Sequence, residues 1–248
     1  MRLYAWKEYE PVDSVLLGCA VGTFFGKDRV IGVGRDGKPV CRFVRREIIS
    51  GLASTGITTF DVRLVPSVAL RHVIREQGID GGLYVSYYDG EIQVHLYDSE
   101  GENAGLDVIQ QIMEIKKGGK FTKVGIEELG VTTYYPNAIE DFVKAMHERI
   151  QFWKQMKLLV DCQGDPVAFI VRPLLNNYGI EPVILNEFIS GYSRPPSEEL
   201  FLETFHKENF SYGLRIDRDD TKGMEVYTKT QRFHANNWLE TLALLREI

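Results

Sequence analysis

The first 80 residues alternate between stretches with a helical hydrophobic period and short apolar runs. From Asp13 to Phe25, apolar residues recur three or four positions apart, which predicts an amphipathic helix that Gly26 ends. The predicted elements that follow are a strand at Arg29–Gly34, a helix at Val40–Thr55, a strand at Thr58–Val65 and a helix at Pro66–Gln77. Strands that alternate with helices predict a parallel sheet covered by helices on both faces.

The pattern then changes to two β-rich runs, Leu83–Tyr88 and Glu91–Tyr97. Only Asp89-Gly90 separates them, and this dipeptide favours a type I′ turn because both turn positions need a positive φ. We therefore predict an antiparallel hairpin that ends the sheet. A further amphipathic helix is predicted at Leu106–Lys117.

A second cycle of helices and strands follows from residue 133. The predicted helices are Asn137–Gln155, Gly164–Tyr178, Leu200–Glu208 and Asn236–Arg246, and the predicted strands are Met156–Cys162, Glu181–Asn186, Tyr212–Asp217 and Met224–Lys229. We therefore predict an α/β protein of two tandem three-layer α/β/α domains, residues 1–132 and 133–248, with mixed, mostly parallel sheets.

Charge and cysteine content narrow the classes of partner. The formal net charge of −6 argues against a nucleic-acid backbone as the main partner, and the basic stretch 116–123 is interpreted as a solvated connection. No apolar run reaches the length of a membrane span, and the start lacks the apolar region of a signal peptide. Three widely spaced cysteines predict neither a disulfide framework nor a metal site, so a cytoplasmic location is expected.

Several segments match one family in order and spacing. Val30–Pro39, VIGVGRDGKP, resembles a V-V-V-G-R-D-T-R segment, and Glu47–Ser86 carries GLASTGI, VPSVAL and GIDGGLYVS in order. Leu158–Val167 resembles a V-V-D-x-A-N-G-A-G opening, and Ile216–Val226 resembles an F-D-G-D-A-D-R-L metal loop. The chain thus resembles the α-D-phosphohexomutases, the phosphoglucomutases and phosphomannomutases of carbohydrate metabolism. The resemblance implies the fold of their domains I and II, with domains III and IV expected to be absent.

The resemblance also implies a T-A-S-H-N-P loop whose serine carries a phosphoryl group. In this chain Ser86 takes the threonine position and Tyr88 stands where the serine should be, in a shorter loop. Both are candidate phosphoryl acceptors; the alternatives are a structural strand serine and a cross-strand packing tyrosine. His95 replaces a lysine thought to assist proton transfer, and it is either a general acid–base or an ordinary strand residue.

Other positions match the family's anion and metal sites. Arg35 and Lys38 are candidate substrate-binding residues, although Lys38 replaces an arginine and offers a point charge instead of a fork. Asp217, Asp219 and Thr221 fall in the register of the metal-binding aspartates. Because a hydroxyl replaces one carboxylate, the resemblance implies weak Mg²⁺ binding at most; the alternative is a solvated acidic turn.

Together with the loss of the family's F-G-T-D-G-I-R-G loop, where MRLYAW stands instead, these changes favour a catalytically degenerate relative. We expect it to act by binding or assembly, with a phosphosugar or phosphate ligand, a second copy of itself or a partner protein. The groove between the two domains, near Arg35, Lys38, His95 and Asp217, is the expected place. The alternative is a divergent phosphosugar mutase, an intramolecular phosphotransferase of the isomerase class, completed by a partner chain or missing domains.

Overall fold

The computed structural model describes residues 2–187, 197–208, 210–217 and 223–247, which form two compact units, Met1–Ala138 and Ile139–Ile248. Each unit is built around one sheet, and helices lie on both faces of that sheet. The sequence-based prediction of an α/β fold with two mixed sheets is confirmed.

Unit 1 contains a six-stranded sheet in the order β1-β5-β4-β2-β3-β6. Strands β2, β3, β4 and β6 are parallel, while β5 runs antiparallel to both of its neighbours, β4 and β1. The elements are β1 (Arg2–Trp6), α1 (Pro11–Phe25), β2 (Val30–Arg35), α2 (Pro39–Ala53), β3 (Thr58–Leu64), α3 (Ser67–Glu76), β4 (Gly81–Tyr88), β5 (Glu91–Tyr97), α4 (Leu106–Gly118) and β6 (Thr132–Tyr134), with a 3₁₀ turn at Ile126–Glu128.

The two faces of this sheet carry different side chains. One face presents branched residues such as Ile31 and Val33, which join the main core with α1, α2 and α4. On the other face, glycines let α3 approach the strands closely. A Cβ atom at Gly32 would lie 2.9 Å from the side chain of Leu70 in α3. In the β2 sequence V-I-G-V-G, branched residues and glycines alternate. The branched residues therefore face the main hydrophobic core, and the glycines face the closely packed helix α3.

Unit 2 contains a five-stranded sheet in the order β11-β10-β9-β7-β8, in which β8, β7 and β9 are parallel and β10 and β11 complete an antiparallel edge. Phe201 and Phe205 of α7 pack against Leu159 on one face. Thr241 of α8 meets Met224 on the opposite face. The elements are α5 (Ala138–Arg149), β7 (Met156–Asp161), α6 (Ala168–Asn176), β8 (Ile180–Leu185), α7 (Glu198–Lys207), β9 (Tyr212–Ile216), β10 (Met224–Tyr227), β11 (Arg232–Ala235) and α8 (Trp238–Glu247).

The structure differs from the sequence-based prediction mainly at the sheet edges. The hairpin of β4 and β5 does not end the sheet, because β1 pairs with β5 beyond it and Trp6 lies opposite Ile92. Strands β6 and β11 are likewise additional. Each of these edge strands has one neighbour. Strands β1 and β6 pair with residues far away in the chain, which a local pattern does not reveal, whereas β11 forms a hairpin with β10, the strand just before it.

Two other boundaries shift. The helix predicted at 137–155 ends at Arg149, and Lys154 N–H donates to the main-chain oxygen of Tyr178 in the extended segment that follows. The predicted domain boundary, between residues 132 and 133, lies within β6, whereas the compact units meet at Ala138 and Ile139. None of the helices in the described ranges has both the length and the apolar character needed to cross a membrane.

Helices α1 and α2 approach each other through glycine. A Cβ atom at Gly51 of α2 would lie 2.8 Å from the main-chain nitrogen of Cys19 in α1 and would overlap the main-chain oxygen of Val15. Gly18 of α1 faces the same crossing. The neighbours are backbone atoms, which cannot rotate away as a side chain can.

We therefore predict that Gly51→Ala lowers the free energy of unfolding by about 1–3 kcal/mol, because the helices must move apart. Urea denaturation followed by circular dichroism measures the change. Gly118→Ala is the matched control, since Gly118 ends α4 and a Cβ atom there would meet nothing within 4 Å. An equal loss in both variants would contradict the close crossing.

Candidate functional site

In the sheet of unit 1, strands β3 and β4 lie on opposite sides of β2. The chain passes from β2 through α2 to β3 on one side, and then through α3 to β4 on the other side of β2. At such a point the loops that follow the two strands diverge, and the crevice at the carboxyl edge is where α/β sheets bind ligands. The residues at this edge are Arg35 at the end of β2, Asp36 after it, and Ser86 to Tyr88 at the end of β4.

The loop at the end of β4 is a two-residue turn, as the Asp-Gly sequence predicts. Tyr88 lies directly opposite Glu91, so only Asp89 and Gly90 connect the two strands. Their φ values are 49° and 84°. The hairpin prediction is therefore confirmed, and the ladder of β4 and β5 is continuous up to the turn.

Asp36 connects the ends of β2 and β4 by hydrogen bonds. Its main-chain N–H donates to the oxygen of Val85 at 2.9 Å, and its Oδ2 accepts the N–H of Tyr87 at 2.7 Å. Its Oδ1 accepts the N–H of Lys38 at 2.8 Å, and the residue is only 2% exposed. Because β2 ends at Arg35, the carboxylate takes the place of the next strand residue beside Tyr87. Asp36 therefore joins β2, the start of α2 and the hairpin, a role that its position in the G-R-D match did not reveal.

The three candidate catalytic residues lie on one face of the hairpin. Side chains alternate along a strand, and Ser86, Tyr88 and His95 point to the same side. Ser86 Oγ lies 3.5 Å from His95 Nε2, at the outer limit of a hydrogen bond, and the imidazole tautomer decides which atom donates. All three side chains are half-buried. On the same face, Glu91 accepts a hydrogen bond from Arg2 at 2.8 Å.

The two candidate substrate-binding residues, Arg35 and Lys38, lie in different elements. Arg35 ends β2, and its Nη1 donates to the main-chain oxygen of Asp36 at 2.6 Å. Burial, and after it the nearby Arg45 guanidinium, lowers the pKa of Arg35, and the Asp36 carboxylate offsets only part of this effect. Lys38 is 4% exposed and forms the N-cap of α2, where its side chain makes no capping hydrogen bond.

A buried ion pair that the sequence reasoning missed lies beside this edge. Arg45 of α2 is 6% exposed and its Nη1 contacts the carboxylate of Asp61 in β3, which is 7% exposed. The other oxygen of Asp61 accepts the N–H of Arg63 at 2.9 Å. A signal was present in the sequence, since Arg45 interrupts the apolar stripe of α2 between Val44 and Ile48.

The corresponding edge of unit 2 is centred on the buried carboxylate of Asp161, between β7 and its neighbours. Asp161 Oδ1 accepts hydrogen bonds from the N–H of Gln163 at 3.1 Å and from Asn186 Nδ2 at 2.7 Å. Asp161 Oδ2 accepts from Arg215 Nε at 3.3 Å, and Gln163 Nε2 donates to the main-chain oxygen of Ile216 at 2.8 Å. The aspartate of the V-V-D-x-A-N-G match is thus Asp161, whose hydrogen bonds connect the end of β7 to the residues that follow it, to Asn186 after β8 and to β9.

Of the three candidate metal ligands, the structure describes one. Asp217 follows β9, and its N–H donates to the main-chain oxygen of Gly223 at 3.2 Å. Asp219 and Thr221 lie outside the described residues. In the part of the chain that is described, no three His, Cys, Asp or Glu side chains are grouped as a metal site would require.

A chain of charged side chains covers the antiparallel edge of unit 2. Glu198, in the first turn of α7, accepts from Tyr227 Oη at 2.6 Å and from Arg232 Nη1 at 3.3 Å. Glu225 pairs with Arg232 at 2.7 Å and with His234 at 2.9 Å. Burial alone would raise the pKa of the Glu225 carboxyl group, but the hydrogen bonds from Arg232 and His234 outweigh it and hold that pKa below its usual value.

The known proteins that this chain resembles in sequence are sugar-phosphate mutases. A family model described as phosphoglucomutase/phosphomannomutase, alpha/beta/alpha domain I, matches residues 7–123. A phosphoglucosamine/phosphogalactosamine mutase of Sulfurisphaera tokodaii is 35% identical over 184 residues, which cover 68% of this chain and 39% of the relative. A phosphopentomutase of Thermococcus kodakarensis is 24% identical over 189 residues, covering 75% of this chain and 41% of the relative.

The fold comparison agrees. A phosphoglucomutase/phosphomannomutase family protein from Burkholderia thailandensis superimposes with a TM-score of 0.76 at 19% identity, covering 90% of this chain and 52% of that one. The chain therefore spans about two fifths of the length of the two curated relatives and about half of the solved structure.

Replacing Asp36 tests whether its hydrogen bonds to Tyr87 and Lys38 stabilise unit 1. Asp36→Asn keeps the size of the side chain but turns one acceptor oxygen into a donor, so the N–H of Tyr87 or of Lys38 loses its acceptor. We expect the free energy of unfolding to fall by about 1–3 kcal/mol in urea denaturation. The control is Asp28→Asn in an exposed loop position with φ 65°, where asparagine also fits. A loss no greater than in the control would contradict the role of Asp36.

The ion pairs of Glu225 predict a pH dependence. Because its pKa is lower in the folded chain than in the unfolded chain, its contribution is complete above the unfolded value and is lost as the pH falls through the folded value. Glu225→Gln should therefore lose less stability than the wild type between about pH 5 and pH 3. Thermal unfolding across this range is the measurement, and Glu181→Gln, an exposed position of β8, should follow the wild type. If stability falls equally with pH in the wild type and in both variants, the ion pairs of Glu225 do not contribute to the acid sensitivity.

Proposed function

Since the chain belongs to the α-D-phosphohexomutase family of carbohydrate metabolism, we propose that it is a phosphohexomutase relative that no longer forms a phosphoserine and acts by binding or assembly. The observation that carries this proposal is the two-residue turn between Tyr88 and Glu91. The family's phosphoserine loop has been replaced by Tyr87-Tyr88-Asp89-Gly90, which contains no serine or threonine. The turn leaves no room for a longer loop unless the ladder opens.

Phosphoryl transfer demands accurate placement of a nucleophile, a metal ion and groups that neutralise charge. Tyr88 stands at the serine position, but it is a ladder residue opposite Glu91 and a phenol is a different nucleophile. Thr221 replaces a metal-binding carboxylate, so Mg²⁺ binding is expected to be weak. Binding requires fewer of these parts, because charge at the sheet edge suffices to hold an anion.

The proposed ligand is a phosphosugar or phosphate, and the proposed assembly is either with a second copy of the chain or with a partner protein. Arg35 at the carboxyl edge supports the anionic ligand, since its guanidinium has no carboxylate partner among the described residues. Three free, buried cysteines, Cys19, Cys41 and Cys162, suit the reducing cytoplasm in which we place the protein.

A second candidate is a divergent phosphosugar mutase or phosphotransferase completed by a partner chain. The separation of 3.5 Å between Ser86 Oγ and His95 Nε2 favours it, because a base within reach is what activates a serine. In that reaction the Ser86 oxygen bonds to phosphorus and the bond from phosphorus to the donor oxygen breaks. His95 takes the hydroxyl proton of Ser86 and returns it to the departing donor oxygen, which leaves as a hydroxyl group.

Intact-mass spectrometry separates the two functions. After incubation with glucose 1,6-bisphosphate and Mg²⁺, we expect no added phosphoryl group and no activity on glucose 1-phosphate or mannose 1-phosphate. A stable adduct mapped to Ser86 or Tyr88 would overturn the proposal and support the second candidate. In that case Ser86→Ala should remove a Ser86 adduct, whereas Ser99→Ala, at an exposed position after β5, should leave it unchanged.

A further inference from the structure

The described residues form two sheets with four edge strands, and these edges are not protected alike. An edge strand exposes main-chain groups that another chain can pair with, and proteins guard such edges with charged side chains, proline or bulges. Strand β1 carries Arg2, β8 carries Glu181 and Pro182, and β11 carries Arg232 and His234. Strand β6 carries only threonine and tyrosine, which favour extended structure, and all its residues are exposed. Of the four edges, β6 is therefore the one most open to pairing.

The pairing with β3 determines which main-chain groups of β6 point outward. Thr59 N–H donates to the main-chain oxygen of Val131 at 2.8 Å. The main-chain groups of alternate residues in a strand face the same neighbouring strand, so Thr133 also faces β3. The N–H and C=O groups of Thr132 and Tyr134 therefore point to the other side, where no strand of the described residues lies. A further strand can bond to these groups without disturbing the ladder to β3.

The segment that leads into β6 is exposed and rich in large apolar side chains. Ile126 is 87% exposed and Val131 is 63% exposed, and Leu129 and Tyr134 are exposed as well. Large apolar side chains that are exposed together mark contact surfaces, whereas singly exposed ones are common everywhere on a protein. A strand added beside β6 is in a position to cover this group.

A bulge in β3 places a cation at the carboxyl end of β6. Along the β2–β3 pair, Val33 lies opposite Asp61 and Gly34 lies opposite Arg63, so β3 contains one extra residue, and Arg63 has φ 59°. A bulge changes the direction of a side chain. Here the guanidinium carbon of Arg63 lies 3.9 Å from the centroid of the Tyr134 ring. Exposed arginine beside exposed tyrosine is the composition of strong interface contacts.

The two ends of β6 carry opposite charges. Glu127 lies in the 3₁₀ turn before the amino end, is exposed and forms no ion pair within the described residues. Arg63, at the carboxyl end, likewise forms no ion pair there. If two copies of β6 pair antiparallel, the acidic end of each comes close to the basic end of the other, whereas parallel pairing would join like charges. The edge is therefore complementary to itself across a two-fold axis.

We propose that a second copy of this chain pairs antiparallel with β6, so that the two six-stranded sheets join into one continuous sheet. Thr132 of each copy lies opposite the partner's Tyr134, and roughly four main-chain hydrogen bonds connect the two strands. Because β6 is short, the interface is small and the dissociation constant falls in the micromolar range. This inference rests on the proposed function only in that it selects self-association from the assemblies named there.

Sedimentation-velocity centrifugation over a micromolar concentration series tests the interface. The wild type should pass reversibly from monomer to dimer as its concentration rises. Thr132→Pro removes an outward N–H that β3 does not use, once in each copy, and should weaken the dimer by about tenfold or more. Thr132→Val is the matched control. It loses the hydroxyl contact with Thr59 but keeps the N–H, and should stay within about threefold of the wild type.

Charge reversal tests the antiparallel arrangement. Arg63→Glu makes both ends of β6 acidic and should weaken the dimer by about fivefold or more, because like charges then meet twice across the two-fold axis. Adding Glu127→Arg to the same chain gives the ends opposite charges again and should recover most of the lost affinity. A double variant that dimerises no more tightly than Arg63→Glu alone would overturn the antiparallel pairing.

A wild type that stays monomeric throughout the series, or equal dimer affinities of Thr132→Pro and Thr132→Val, would overturn the interface. If circular dichroism shows that Thr132→Pro is unfolded, Val131→Lys replaces it, with Val12→Lys at an exposed position of α1 as its control. Val131→Lys should weaken the dimer and Val12→Lys should not. Equal affinities of these two variants would overturn the interface in the same way.

The two proposals fail separately. Phosphorylation in the mass experiment, combined with a dimer that depends on Thr132, would overturn the proposed function and leave the interface standing. An unmodified protein that stays monomeric would overturn the interface alone.

Discussion

The carboxylate of Asp36 holds together the three segments that meet at the carboxyl edge of the first sheet. It receives the N–H of Lys38 at the start of α2 and the N–H of Tyr87 at the end of β4, while its own N–H continues the ladder to Val85. A buried carboxylate is tolerated only when hydrogen bonds replace its hydration, and here main-chain donors do so. The hydrogen bonds of Asp36 thus link the end of β2, the start of α2 and the end of β4.

Local chemistry explains why much of the fold is predictable from the sequence. Asp89-Gly90 permits two successive positive φ values, so the hairpin follows from two residues. The helix around Gly51 follows from apolar periodicity and the helix around Gly18 from a largely apolar run. Their close crossing follows from neither, because it requires residues of both helices at once. Strands β1 and β6 do not follow from a local pattern for the same reason, since their partners β5 and β3 are distant in the chain. Strand β11 pairs with β10, the strand just before it, so this reason does not apply to it.

The candidate site is predictable only in part. The resemblance placed Ser86, Tyr88 and His95 in one region, and strand alternation puts them on one face of the hairpin. The role of Asp36 was not visible, because its acceptor function involves Tyr87, 51 residues further along the chain. The role of Arg45 in α2 was overlooked because its partner Asp61 lies in a different element, strand β3. Asp219 and Thr221 lie outside the described residues, and their assignment as metal ligands remains a prediction.

Binding a phosphate group and transferring it make different demands on the carboxyl edge of the first sheet. The edge between β2 and β4 carries the positive side chain of Arg35 and the start of α2, and the segment that the resemblance aligns with the family's phosphoserine loop lies in the ladder of β4 and β5. A binding function can persist under these conditions because electrostatic complementarity at a sheet edge does not require a nucleophile or a metal ion. The family relationship explains the fold, and the altered loops explain the proposed change in activity.

The central claim is that the phosphoserine loop is replaced by a closed two-residue hairpin tied to Asp36, and nuclear magnetic resonance of the isotopically labelled chain tests it most directly. The account predicts an amide–amide nuclear Overhauser effect between Tyr88 and Glu91, which flank the turn, and slow hydrogen exchange of the Tyr87 amide. Absence of that effect, together with rapid exchange at Tyr87, would show an open loop at the end of β4 and would contradict the account.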